Sequence, residues 1–72
     1  MNKRKCYIPV VNSEQLGVFL NHEAAQISAI KQLIITADNE IHNKLPEIIL
    51  RVILDDQDDE GYVYIEETFM YE

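Results

Sequence analysis

Glu47-Ile48-Ile49-Leu50-Arg51-Val52-Ile53-Leu54 is the stretch whose reading decides the fold. It is a bounded apolar run, rich in β-branched residues and of strand length. Pro46 stands before it, and the residue before a proline is pushed out of the α region. Asp55 to Gly61 follows, a loop by composition. Tyr62-Val63-Tyr64-Ile65-Glu66-Glu67-Thr68-Phe69-Met70-Tyr71 is strand-like again. Read this way, 47–54 and 62–71 are two strands of an antiparallel hairpin.

Upstream the period changes. Leu16, Leu20, Ala24, Ile27, Ile30, Ile34, Ala37 and Ile41 follow at steps of three or four, with Phe19 and Leu33 beside them, which predicts a helix. Asn12 and Ser13 are both good N-caps, and Gln15 completes a capping box with Asn12. Asn21 caps a second segment beginning at His22, so a break near 21 fits. The cluster Ile34-Ile35-Thr36 makes a strand at 31–37 the rival reading there. Pro46 requires the helix to be over before it. At the start, Cys6 to Val11 reads as a strand, with Pro9 calling for a sheet edge or an irregular beginning. The expected architecture is α+β and β-α-β-β: one domain over 1–72, a three-stranded mainly antiparallel sheet, and one long or broken helix on one face.

Composition narrows the class. The chain has 72 residues, 47% of them apolar, one Cys and a formal charge of −7. The apolar fraction is too high for disorder, and one Cys closes no intramolecular disulfide. No run approaches the about 20 apolar residues of a membrane span. The expectation is a cytoplasmic protein without a membrane contact.

The charge is segregated. Residues 1–5 carry three bases and no acid, and 55–72 carry eight acids and no base. The division is a basic flexible head at 1–5, a folded body at 6–54, and an acidic loop plus C-terminal strand at 55–72. Acids in that number repel phosphates and steer basic surfaces, so direct nucleic-acid binding is not expected. In the last strand Val63, Ile65 and Phe69 share the core-facing side. Tyr62, Tyr64, Glu66, Thr68 and Met70 share the other.

These features predict a non-enzymatic binding protein, an inhibitor, immunity factor or antitoxin-like chain that occupies a basic surface of a partner protein. Asp55, Asp56, Asp58, Asp59, Glu60, Tyr62, Tyr64 and Glu66 are the expected contact residues. Tyrosines supply rigid contact area, and carboxylates steer the encounter. In one version the carboxylates imitate the phosphates of a nucleic acid. A structural homo-oligomer, closed through an exposed sheet edge, is a further alternative. A homodimer or a heterocomplex would supplement the small core.

Asp56-Gln57-Asp58-Asp59-Glu60-Gly61, five residues and then Glu67 resembles an EF-hand calcium loop. Asp56, Asp58, Glu60 and Glu67 fall on its first, third, fifth and twelfth places, and Gly61 on the turn. The resemblance implies a calcium-binding module over 56–67, though the residues after Gly61 favour strand where that family has a helix. His22-Glu23-Ala24-Ala25-Gln26 resembles the zincin helix motif with its second His replaced by Gln26 and no third ligand in view. No catalytic set and no cofactor are expected: Cys6 has no neighbouring base in the sequence, and Glu66 and Glu67 point to opposite faces of a strand.

Overall fold

The computed structural model describes residues 2–55 and 62–71. The elements are strand β1 (Lys3–Val11), strand β2 (Glu14–Gln15), helix α1 (His22–Thr36), helix α2 (Asn39–Ile53) and strand β3 (Val63–Tyr71). The sheet is three-stranded and antiparallel, in the order β2-β1-β3. The class is α+β as expected, but the element order is β-β-α-α-β, and the difference lies in residues 12–15 and 47–54.

Asn12 and Ser13 do not cap a helix. Both have positive φ, 50° and 68°, and they form the two-residue turn between β1 and β2. Left-handed backbone at both central positions is the geometry whose twist matches a hairpin. Asn adopts it readily, whereas Ser strains. Ser13→Gly is therefore expected to stabilise the fold by up to about 1 kcal/mol, since relief of the left-handed strain outweighs the extra freedom of an unfolded Gly. A higher thermal midpoint checks it; an unchanged one would mean that Ser13 is unstrained.

After β2 the chain returns beside β1 without joining it fully. Leu16 N–H donates to the Pro9 carbonyl at 2.9 Å, and Tyr7 and Phe19 exchange bonds of 2.7 and 2.8 Å. Gly17 sits between them with φ 116°, a conformation L side chains rarely adopt. Pro9 lies in the middle strand, not at an edge. Its carbonyl faces this irregular segment, so the N–H it lacks would face the same side, away from the continuous β3 ladder.

The helix starts at His22, where the Asn21 side chain accepts from the Ala24 N–H at 3.1 Å. Leu16 and Leu20 therefore lie outside it. Ala25, Ala29 and Leu33, spaced by four, are each fully buried. The small residues let α1 lie close to the sheet. The segment 31–37 is helix through Thr36, not strand. Asp38 opens α2 by accepting from the Ile41 N–H at 2.9 Å.

Residues 47–54 are not a strand either. α2 runs from Asn39 to Ile53 with Pro46 inside it. Leu45, Ile48 and Val52 are buried, with Ile41 and Ile49 packed partly against the same core, while Leu50, Ile53 and Leu54 are exposed. This is a helical stripe at steps of three and four. β3 consequently pairs with β1, from Val63 opposite Val11 to Tyr71 opposite Lys3. Lys3-Arg4-Lys5, expected as a head outside the folded body, is the start of β1.

Val11 and Val63 meet Ala29, Leu33, Leu45, Ile48 and Val52 in one core cluster on the helix-covered side of the sheet. Beyond it the β1–β3 ribbon continues to Lys3 and Tyr71, where Phe69, Met70 and Tyr71 are exposed. The long axis is 47 Å against 19 and 18 Å across, with a radius of gyration of 12.7 Å.

Candidate functional site

The sheet order places β3, the strand predicted to carry the contact surface, at an open edge. Asn12 N–H donates to the Tyr62 carbonyl at 2.8 Å. By strand alternation the even-numbered residues of β3 bond to β1. The main-chain groups of Val63, Ile65, Glu67, Phe69 and Tyr71 then face outward, a row able to accept another strand. Tyr64 and Glu66 are half-buried, cross-strand from Val10 and Ile8 on the side away from the core cluster. Tyr62 departs from the expected surface: it packs against the core cluster. Asp55 is exposed at the end of α2. Asp56, Asp58, Asp59 and Glu60 lie outside the described residues, so most of the calcium ligand set does too. Glu67, its fourth member, stands on a strand where an EF-hand has its exiting helix.

Glu67 instead belongs to a cluster not foreseen from the sequence. It sits cross-strand from Tyr7, and Lys5 Nζ is 3.1 Å from its Oε2. That hydrogen bond, with the carboxylate charge, raises the Lys5 pKa above its ordinary value. The first turn of α1 brings His22 over the same place: the Tyr7 and His22 rings meet edge to face at 4.9 Å between centroids. His22 Nε2 is 3.2 Å from Asp55 Oδ1. One ligand-type atom from each of His22, Asp55 and Glu67 lies within 4.8 Å of the others. His22 is half-buried, Asp55 and Glu67 exposed.

Gln26 explains how Asp55 is delivered. Its Nε2 donates to the carbonyls of Val52 at 2.8 Å and Ile53 at 3.4 Å, tying the end of α2 to α1 and satisfying carbonyls a helix end leaves open. Asp55 then turns back with φ 57°, its N–H donating to the Val52 carbonyl at 3.1 Å. The zincin resemblance is thus replaced: Gln26 holds a helix end, His22 bonds Asp55, and Glu67 lies close to both. His42 lies in the first turn of α2, separated from the Asp55 end by about 20 Å of helix. Cys6 is buried in the middle strand at 1% exposure.

The basic start of the chain runs alongside the last residues of β3. Lys3, Arg4 and Lys5 lie beside Tyr71, Met70 and Phe69, and Lys3 Nζ stands 4.6 Å from the centre of the Phe69 ring. Asp55 and Glu67 stand close together beside Lys5, while Glu66 points to the other side of the sheet. Among the described residues no helix is long and apolar enough to cross a membrane. No protein-family model, curated protein or solved structure matches this chain.

Proposed function

We propose that the protein acts in the cytoplasm by stoichiometric binding to a basic surface of a partner protein, as an inhibitor, immunity factor or antitoxin does. The observation that carries this reading is the position of β3. It runs along an open sheet edge for nine residues, presents Tyr64 and Glu66 on the face away from the core, and continues the acid-rich stretch that begins at Asp55. Strand addition supplies main-chain hydrogen bonds, and alternate side chains supply selectivity. The carboxylates steer a basic partner to the end of β3 nearer Val63, because Lys3, Arg4 and Lys5 make the far end basic.

Affinity capture from the source lysate, with partners identified by mass spectrometry, tests this. The wild type is expected to retain a one-to-one partner whose capture weakens with salt. A variant with Asp56, Asp58, Asp59, Glu60 and Glu66 changed to their amides is expected to lose it. Undiminished capture by that variant at equal salt overturns the reading. Capture of the chain by itself alone, with sedimentation showing a dimer, would favour the homo-oligomer instead.

A further inference from the structure

We propose that His22, Asp55 and Glu67 form a binding site for a divalent transition-metal ion of the zinc class. Three elements distant in sequence each deliver one ligand here: the first turn of α1, the residue after the C-cap of α2, and the middle of β3. Their nitrogen and oxygen atoms all fall within 4.8 Å of one another, a spread that a small side-chain rotation closes around an ion about 2 Å from each.

The surroundings fit a metal better than a simple ion pair. His22 and Asp55 account for each other, and Lys5 accounts for one oxygen of Glu67. Yet among the described residues Asp55 and Glu67 are two carboxylates turned toward one point, with the Lys5 ammonium beside them. Converging like charges cost energy unless a cation lies between them. The second oxygen of Glu67 and the second oxygen of Asp55 can serve such a cation. Ligand orientation is supported from outside the triad, as metal sites require. The Tyr7 ring edge packs on the imidazole, Lys5 holds the Glu67 carboxylate, and Gln26 fixes the end of α2 before Asp55. Exposure of Asp55 and Glu67 leaves an entry path and room for water on the remaining positions.

The ligand types select the ion. One imidazole and two carboxylates suit zinc and its neighbours in the first transition row. Calcium, which takes many hard oxygens, has no use for an imidazole nitrogen. The side chains of the site overlap the proposed partner surface only at Asp55: His22 and Glu67 lie on the helix-covered side of the sheet, Tyr64 and Glu66 on the other, and the amide variant used for partner capture leaves all three ligands in place.

Zinc titrated into the purified full chain in a non-chelating buffer, followed by calorimetry, tests the proposal. One ion per chain is expected, with a shift of the His22 imidazole resonances and a thermal midpoint that rises with zinc. Outer-shell changes at metal sites typically cost about 10–100-fold in affinity, so His22→Gln and Asp55→Asn are each expected to cost at least as much, while His42→Gln leaves binding unchanged. Circular dichroism of each variant establishes that it is folded. Absence of binding at about a hundred micromolar zinc overturns the proposal. So does undiminished binding by folded His22→Gln, loss of binding on His42→Gln, or displacement of zinc by an equal concentration of calcium.

Discussion

Leu33→Ala is expected to cost about 2–5 kcal/mol, the range for truncating a large buried aliphatic side chain. Leu33 is the largest of the fully buried side chains, at 0% exposure, and it stands in the core cluster between β1, α2 and β3. A chain of 72 residues has a total stability on the order of 4–11 kcal/mol, so this one change removes a large share of it. Urea unfolding followed by circular dichroism measures the effect as a lower midpoint at unchanged slope. The informative control is next door. Ile35 is 77% exposed, and Ile35→Ala is expected to stay within about 0.5 kcal/mol. On a strand, Leu33 and Ile35 would share a face and respond alike; on α1 they do not. Equal losses at both positions would therefore overturn the helical assignment of this segment.

Pro46→Ala is expected to stabilise the protein by about 1–3 kcal/mol. Pro46 lies inside α2 and is exposed. It has no N–H for the His42 carbonyl, and its ring crowds that turn, a combination costing about 3 kcal/mol in an isolated helix interior. Alanine restores the bond and keeps the solvent-facing position apolar and small. Leu45 and Ile48, close to Pro46 in the chain, are both buried, so a change in the course of the helix on restoring the bond would disturb their packing and oppose the gain. A raised midpoint confirms that the proline is only a cost to the helix. A lowered one shows that the backbone course set by the proline is needed for packing.

That proline is also why the order of elements was not legible from the sequence. Reading from Glu47 onward, Ile48 to Leu54 shows apolar residues in almost every place, and such a run has no visible period. Reading from Ile41, the stripe Ile41, Leu45, Ile48, Val52 is plain, but it crosses Pro46, and the rule against interior prolines cut it in two. Asn12-Ser13 misled for a related reason. The residues that cap helices are those that tolerate left-handed turns, and only pairing with β1 separates the two uses. What was legible was the helical period after the Asn21 cap and the alternation that puts Val63 and Ile65 on the core side. The face of α1 was not: the stripe read through Ile27 and Ile34 is exposed, and Ala25, Ala29 and Leu33 are buried in its place, because small alanines pack against the sheet without standing out in an apolar pattern. Phe69, expected in the core, is exposed near the end of the β1–β3 ribbon. The open edge of β3 and the meeting of His22, Asp55 and Glu67 required the sheet order. No local pattern links residues so far apart, and Glu67 had been claimed by a motif in its own neighbourhood.

The ribbon that carries Lys3–Lys5 and Phe69–Tyr71 past the helices has a hydrodynamic consequence. A compact domain of this length has a radius of gyration near 11 Å, and this chain reaches 12.7 Å with a long axis of 47 Å. An elongated particle suffers more friction than a sphere of equal mass. A single chain will leave a gel-filtration column early, at a volume that globular standards assign to a heavier species. Apparent dimers on such a column are to be expected from shape alone, and the number of chains in any assembly must be read from mass, by sedimentation equilibrium or light scattering.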